Sequence, residues 1–200
     1  MLKLLLPIPK QVTVAVSGGV DSMAVLDFLK RKHDVTVAFY HHGTETSEQA
    51  MSFVANYCND NNLPVIFGML QTPKPKELSQ EEYWRDCRYD FLDKCGYVIT
   101  AHHLDDCVET YVWSALHGKP KTINLVRGNV FRPFLTTPKS EFIDWCQRHN
   151  VPWLEDGSNN DTKYMRNYIR HNLMPHALTV NPGLKKTVEK LILKKQLGKV

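Results

Sequence analysis

Short apolar runs alternate along the chain with longer segments in which apolar residues recur every three or four positions. The runs predict β-strands at 12–16, 35–40, 65–69 and 97–101, and a fifth strand or hairpin at 123–131. The longer segments predict helices at 23–29, 46–60, 81–94, 104–117, 138–150 and 162–174, followed by a basic helix in the final residues.

This alternation predicts an α/β fold, with a Rossmann-like parallel sheet covered by helices on both faces and a C-terminal helical extension. We expect a nucleotide-binding catalytic domain at 1–155 and a basic helical extension at 156–200 that packs on it. Ligands of such sheets bind beyond the carboxyl ends of the strands. Residues that follow the first and fourth strands are therefore the first candidates for a site.

Composition and charge narrow the class of protein. Apolar residues make up 42% of the chain, which suffices for a core, and no apolar run is long enough for a signal peptide or membrane span. We therefore expect a soluble, cytoplasmic protein. The five cysteines form no CxxC pair, so we expect neither zinc nor an iron–sulfur cluster. The net charge is +4, but 161–200 alone carries +7, which indicates a polyanionic partner or a solvated lysine face.

A glycine-rich turn joins the first predicted strand to the first helix. Glycines let the backbone curl around an anion, and a helix N-terminus offers unpaired N–H groups and a partial positive charge. The pattern predicts a phosphate cradle, and an ordinary capped turn is the simpler alternative. It is neither a Walker motif nor GxGxxG. The cradle would consist of Ser17, Gly18, Gly19, Val20, Asp21 and Ser22.

A second cluster, AHHLDDCVET, follows the fourth strand. His102, Asp106 and Glu109 are spaced i, i+4 and i+7, so they share one face of the predicted helix, which Trp113 continues. Two carboxylates and an imidazole could hold magnesium or the ammonium of an amine substrate, or could transfer a proton. The alternative is that Asp105 or Asp106 caps the helix.

A third cluster lies in the helix predicted at 162–174. Lys163, Arg166 and Arg170 form one basic stripe, and Asn167 and His171 flank it. Arginines in this arrangement, with aromatic residues nearby, suit contact with phosphate or RNA. Salt bridges to acidic neighbours in a purely structural helix are an equally good interpretation.

Together these motifs resemble a known family. SGGVDS resembles the PP-loop of ATP pyrophosphatases, and with AHHLDDCVET, RPF and EDGSNNDTKYMRNYIRHNLMP the chain resembles tRNA(Ile)-lysidine synthetases. YHHGTETSEQ and WRDCRYDFL agree with that family as well, and the matches keep the family order over about residues 12–175. The block that ends in RNYIRHNLMP is the most specific, because PP-loop enzymes in general lack it.

The resemblance implies a reaction and its ligands. ATP, with Mg²⁺, would adenylate the wobble cytidine of tRNA(Ile) with a CAU anticodon and release pyrophosphate. Free L-lysine would then displace AMP to give lysidine. Asp21 would contact the magnesium ion, since a carboxylate beside phosphates needs a cation between them.

The resemblance also implies roles for the other residues. Arg85 and Arg88 would neutralise charge on the phosphates and the adenylate. The lysine would lie at the acidic face of the second cluster. The catalytic set is then Asp21, His102, Asp106, Glu109, Arg85 and Arg88. The cytidine, the lysine or the anticodon phosphates would be organised by Arg166, Asn167, Arg170 and His171.

The chain departs from the family pattern at several positions. His41 stands where Asp is usual, Trp84 where Ala is usual, and Cys107 where Gln is usual. His117 replaces a usual Arg, which puts a basic contact to RNA or nucleotide in doubt. Family members also carry C-terminal domains that grip tRNA, whereas about 25 residues follow Pro175 here. A short form without these domains would bind tRNA weakly or would rely on a homodimer, and both are hypotheses.

Two other functions compete with lysidine synthesis. The first is another PP-loop tRNA-modifying enzyme, such as a thiolase, which the absence of CxxC pairs and the RNYIRH block disfavour. The second is a non-catalytic derivative that binds tRNA or a nucleotide, which the intact set of chemically active residues disfavours.

Overall fold

The computed structural model describes residues 2–71, 73–155, 162–163 and 165–198. Six strands form one sheet in the order β3-β2-β1-β4-β6-β5. Their bounds are β1 Gln11–Ala15, β2 Asp34–His41, β3 Val65–Met69, β4 Val98–Ile99, β5 Val126–Arg127 and β6 Val130–Phe131. The pairs β1–β2, β2–β3, β1–β4 and β4–β6 are parallel, and β5–β6 is antiparallel. The predicted 123–131 segment is therefore a hairpin at the sheet edge.

Eight α-helices are described. Their bounds are α1 Val20–Lys30, α2 Glu45–Asp60, α3 Gln80–Leu92, α4 Leu104–Leu116, α5 Lys139–Arg148, α6 Met165–Tyr168, α7 Met174–Val180 and α8 Leu184–Leu197. A π-helical segment, Ile169–Leu173, joins α6 to α7. Among these helices, none is long and apolar enough to cross a membrane.

Helices cover both faces of the sheet, as predicted. The alternate residues Val12, Val14 and Val16 of the first strand region are buried in a cluster that includes residues of α1, α2 and α5. The opposite face buries Ala38 and Val98 against α3. The period of two in strand side chains produces this division, because neighbouring residues point to opposite faces.

Helices α1 and α5 are held together by an aromatic contact and a buried carboxylate. Phe28 and Trp145 pack edge to face with ring centroids 5.2 Å apart. The Trp145 indole donates a hydrogen bond to Asp27, which also pairs with Arg31. Because Asp27 is buried and fully paired, its charge is tolerated in the core.

The C-terminal helices pack on α4. Leu184, Val188 and Ile192 of α8 share a buried cluster with Cys107 and Val108 of α4. The helix predicted at 162–174 is observed from residue 165 and extends to 180, with the π-helical segment in its middle. The dense turn at 156–161 lies outside the described residues. The domain boundary at 155 stays a prediction.

Candidate active site

The glycine-rich turn lies between β1 and α1, at the carboxyl edge of the sheet. Gly18 has a φ of +86°, a conformation that favours glycine. Gly19 caps α1 with no side-chain hydrogen bond, so the first N–H groups of the helix have no side-chain acceptor there. The Ser22 hydroxyl instead accepts from the Ser17 N–H at 3.1 Å and donates to the Gly19 carbonyl at 2.9 Å. The turn thus fixes its own backbone and leaves the helix N-terminus available to an anion.

Two further contacts hold this turn in place. The Leu154 N–H donates to the Gly18 carbonyl at 2.9 Å, which ties the turn to the chain after α5. Val20 packs against the core as the first residue of α1. Of the six predicted cradle residues, Val20 therefore has a packing role, and the role of the others in binding an anion stays a prediction.

Asp21 joins the glycine-rich turn to the second cluster. Its Oδ2 lies 3.5 Å from His103 Nε2 and 3.5 Å from Lys139 Nζ. Its Oδ1 is buried and has no hydrogen-bond partner within the described part of the chain. A carboxylate oxygen without a partner, beside an anion position, fits Mg²⁺, which binds through one or two carboxylates and substrate phosphates. No group of three or more metal-ligating side chains is found among the described residues.

His103 orients the start of α4. The Asp106 N–H donates to His103 Nδ1 at 3.3 Å, and the His103 N–H donates to Asp106 Oδ2 at 3.0 Å, which together form a capping box. With Nδ1 accepting, the imidazole proton lies on Nε2 and faces Asp21. The alternative that Asp105 or Asp106 caps the helix is met only in part, because His103 is the cap residue and one oxygen of Asp106 completes the capping box.

The second oxygen of Asp106 and the Glu109 carboxylate face the C-terminal helices. Arg166 donates to Asp106 Oδ1 at 2.7 Å. Arg170 donates to both oxygens of Glu109, at 2.8 and 3.1 Å. Burial opposes the charge on Asp106, but His103, Arg166 and His102 hold the pKa of this carboxyl well below its usual range. Asp106 is therefore ionised, and both carboxylates of the Asp106–Glu109 carboxylate pair contact arginines.

His102 precedes the helix, and its Nδ1 is 2.8 Å from the Thr100 hydroxyl. Burial lowers the pKa of His102 to about 3, which the charge on Asp106 opposes and the charges on Arg132, Arg166 and Arg88 reinforce. The imidazole is consequently neutral at pH 7. His102 is thus a hydrogen-bonding group within reach of both acidic and basic neighbours, and not a cation.

Four arginines surround the ring of Tyr89 on the sheet face covered by α3. The guanidinium carbons lie 3.9 to 5.9 Å from the ring centroid. Burial and the neighbouring arginines lower the pKa of Arg88, which the Tyr89 hydroxyl opposes. We call this group the arginine platform, and it consists of Arg85, Arg88, Arg127 and Arg132 around Tyr89.

The structure brings most of the predicted residues to one edge of the sheet. Arg166 and Arg170 reach the carboxylate pair, Asp21 reaches His103, and Arg88 lies close enough to His102 to help lower its pKa. Asn167 and His171 lie on α6 and in the π-helical segment, each with a partner of its own.

Three residues near the site were missed by the sequence analysis. Arg132 belongs to the RPF motif, which carried the resemblance without a role. It is 3% exposed and donates to the Tyr89 hydroxyl at 2.8 Å. Lys139 starts α5 beside Asp21. His42 lies beside Trp84, and burial, Arg88 and His41 lower its pKa to about 4. No local pattern marks these residues, because each is brought to the site by a different strand or helix end.

His41 shows how one departure from the family pattern is accommodated. Its Nδ1 accepts a hydrogen bond from the Gly43 N–H at 3.0 Å, as the usual aspartate oxygen could. Its Nε2 then carries the proton and lies 3.0 Å from Glu48. The substitution therefore keeps an acceptor for the loop backbone after β2.

The family model described as a PP-loop domain matches residues 3–177 of this chain. The chain belongs to the PP-loop family. The match contains the glycine-rich turn, the carboxylate pair and the arginine platform. The PP-loop family uses ATP, which agrees with the available helix N-terminus at Gly19.

Several relatives bear the name tRNA(Ile)-lysidine synthase, which confirms the resemblance. The relative from Thermotoga maritima is 33% identical over 202 residues, which cover 92% of this chain and 49% of the relative. Those from Lactiplantibacillus plantarum and Nitrosomonas europaea are 35% and 31% identical and cover 93% and 89% of this chain. The chain spans about half the length of the curated relatives it matches.

A solved structure with the same fold is the NH₃-dependent NAD synthetase from Campylobacter jejuni. The TM-score is 0.54 at 18% identity, with 94% of this chain and 86% of that chain covered. At this identity the likeness shows the fold alone. It confirms the predicted α/β class, with a mostly parallel sheet between helices.

Proposed function

We propose that this chain ligates L-lysine to the wobble cytidine of tRNA(Ile) with a CAU anticodon, in an ATP-dependent reaction. The observation that supports the proposal is the 3.5 Å contact between Asp21 and His103, which joins the glycine-rich turn to the start of the helix that carries the carboxylate pair. A phosphate position beside a cation position suits a reaction between ATP and an amine. The names of the relatives supply the amine and the RNA.

The first step would activate the cytidine. The N–H groups at the start of α1 would bind the phosphates, and Asp21 would hold Mg²⁺, which supplies charge neutralisation when it is bound. The cytidine 2-carbonyl oxygen would attack the α-phosphorus of ATP. The bond from that phosphorus to the β-bridging oxygen breaks, and pyrophosphate leaves. Arg85 and Arg88, on α3, would stabilise the charge that develops.

The second step would attach lysine. The ε-amine would attack carbon 2 of the activated ring, the carbon–oxygen bond to AMP breaks, and AMP leaves with the electron pair. Only the neutral amine is a nucleophile, so its proton must pass to a base at the site. The carboxylate pair would bind the incoming ammonium or accept its proton.

Two arginines compete with lysine for the carboxylate pair. Arg166 and Arg170 occupy the hydrogen-bonding positions on the carboxylate pair that an ammonium would take. Lysine binding therefore requires these contacts to be shared or broken. Phosphate groups of ATP or RNA are suitable alternative partners for the two guanidinium groups.

The test is transfer of radiolabelled lysine to RNA. Purified protein is incubated with ATP, Mg²⁺ and an isoleucine tRNA transcript with a CAU anticodon, or with the same transcript changed to UAU. We expect label in the CAU transcript only, and a loss of about 10²-fold or more in Asp21→Asn. Asp60→Asn, an exposed carboxylate at the end of α2, is the matched control and should keep full activity.

Two results would contradict the proposal. Equal labelling of both transcripts would reject the wobble cytidine as the acceptor. RNA that binds without gaining lysine would indicate a binding protein or another PP-loop modification.

A further inference from the structure

We propose that the outer end of the arginine platform binds phosphates of the RNA backbone, and that Arg127 on the β5–β6 hairpin is its outermost contact. Arg85 and Arg88, at the inner end, keep the contact with ATP proposed above. This inference rests on the proposed function, because it takes an RNA as the substrate. It assigns a role to the edge hairpin, which the reaction described above does not use.

The platform is built around one aromatic ring. The guanidinium carbon of Arg127 lies 3.9 Å from the Tyr89 centroid, and those of Arg85 and Arg88 lie at 4.9 and 5.7 Å. Arg132 lies at 5.9 Å and donates to the Tyr89 hydroxyl. The electron-rich face of the ring attracts cations, so it holds like charges together that would otherwise repel one another.

The described part of the chain places no carboxylate in an ion pair with the platform's four arginines. The other described arginines that contact the site, Arg166 and Arg170, are each paired with a carboxylate. Arg132 is nearly fully buried, and its Nε has no hydrogen-bond partner in the described part of the chain. Four clustered guanidinium groups without an ion-paired carboxylate in the described ranges indicate an anionic ligand.

The position of Arg127 favours RNA over the phosphates of ATP. In the sheet order, β5 is the third strand from β1, which at about 4.8 Å per strand separates them by roughly 14 Å. The glycine-rich turn that would bind ATP follows β1. Arg127 is exposed, whereas Arg132 is buried behind it. The platform therefore runs from the interior of the site to the protein surface, as a strand that passes through the site would require.

Guanidinium groups suit this ligand. Their planar forks bind phosphate oxygens through two parallel hydrogen bonds, and arginine also stacks on the unstacked bases of RNA loops. Each neutralised phosphate releases counterions, so each such contact adds to the salt dependence of binding.

The experiment compares the salt dependence of RNA binding between Arg127→Gln and Arg148→Gln. Arg148 is an exposed arginine at the end of α5, whose first residue contacts Asp21, so it lies about 14 Å further along that helix at 1.5 Å per residue. The dissociation constant for the CAU transcript is measured by fluorescence anisotropy between 50 and 200 mM KCl, roughly the range in which such contacts respond to salt. The KM for ATP and the transfer of lysine are measured in parallel.

For Arg127→Gln we expect binding about tenfold weaker at low salt and a slope of log K against log salt that is smaller by about 0.7 to 0.9. Arg127→Lys keeps the charge and should keep the slope, and Arg148→Gln should match the unmodified protein. The KM for ATP should change by less than about twofold, which corresponds to under 0.5 kcal/mol.

Three outcomes would overturn the assignment. An unchanged slope in Arg127→Gln would remove Arg127 from the RNA surface. A raised KM for ATP with unchanged RNA binding would assign the platform to ATP phosphates. An unmodified protein without affinity for RNA would reject the surface and the proposed function together. By contrast, the unmodified protein could bind RNA without transferring lysine, while Arg127→Gln shows the expected smaller salt slope. That result would support the RNA-binding surface and reject only the proposed function.

Discussion

The carboxylate pair and the arginine platform lie at the same edge of the sheet but differ in how their charges are balanced. Asp106 and Glu109 are buried and are matched by Arg166 and Arg170 within the chain. The platform carries four guanidinium groups, and none of them forms an ion pair with a carboxylate of the described residues. His102 lies between the two regions and responds to both, since Asp106 raises its pKa and Arg132 lowers it.

The charged groups of the two regions contribute differently to stability and to binding. A matched pair stabilises the position of the helix that supplies the arginines, so its loss affects both folding and the binding of a cation. An unmatched cluster costs stability through repulsion and gains favourable interactions only with an external anion. We therefore expect substitutions in the carboxylate pair to lower both the free energy of unfolding and the binding of lysine. Substitutions that remove an arginine of the platform should mainly weaken the binding of RNA.

The largest effect is expected for Glu109→Gln. The change removes an anion that would bind the lysine ammonium, and it leaves Arg170 with a weaker partner. We expect lysine transfer to fall by about 10²-fold or more and the free energy of unfolding to fall by about 1–3 kcal/mol. Initial rates against lysine concentration and urea unfolding measure the two effects, with Asp60→Asn as the control. A normal KM for lysine would remove Glu109 from the cation site.

An intermediate effect is expected for the hydroxyl that anchors the platform. Tyr89→Phe removes the acceptor for Arg132 but keeps the ring that the arginines surround. We expect the free energy of unfolding to fall by about 1 kcal/mol, while the salt slope of RNA binding stays unchanged.

Tyr89→Leu sharpens this comparison, because it removes the ring as well. RNA binding should weaken in Tyr89→Leu and not in Tyr89→Phe, as measured by anisotropy at a temperature where both variants are folded. Equal RNA affinity of the two variants would show that the ring does not hold the arginines in place.

The smallest effect on the free energy of unfolding at neutral pH is expected for His102→Gln. The folded-state pKa of His102 is about 3, below its ordinary value of 6.5, so the unfolded chain takes up a proton that the folded chain does not. The resulting stability is complete above pH 6.5 and is lost as the pH falls toward 3. Between pH 4 and 6, the free energy of unfolding should rise less steeply with pH in the variant than in the unmodified protein, by about 1.4 kcal/mol per pH unit.

Urea unfolding at several pH values measures that slope. His176→Gln, an exposed histidine on α7, is the matched control for the loss of one imidazole. An unchanged slope in His102→Gln would show that His102 titrates in the folded protein much as it does in the unfolded chain.

The sequence predicts the sheet well, because apolar alternation reports burial directly. Strands β1, β2 and β3 appear within one residue of their predicted ends. β4 is shorter than the predicted 97–101, since only Val98 and Ile99 pair with both β1 and β6. For 123–131, the pattern did not distinguish one strand from a hairpin, because each observed strand has only two residues.

The site was predicted in its parts but not in its pairings. Periodicity placed Asp106 and Glu109 on one helical face and Arg166 and Arg170 on another. It could not show that the two faces meet, because the contact spans about 60 residues and depends on how α6 packs. The role of Arg132 was missed for the same reason, since its partner Tyr89 is 43 residues away. Local patterns report local geometry, and charge compensation depends on tertiary contacts.

The central claim is that the PP-loop site releases pyrophosphate from ATP only when RNA is present, and releases AMP only when lysine completes the reaction. The most direct measurement is a product analysis of α-labelled ATP, with pyrophosphate assayed in parallel, in the presence and absence of CAU transcript and lysine. The account predicts AMP and pyrophosphate in equal amounts, in proportion to the lysine transferred, and almost none without RNA. Formation of ADP and phosphate, or release of AMP that does not depend on RNA, would contradict it.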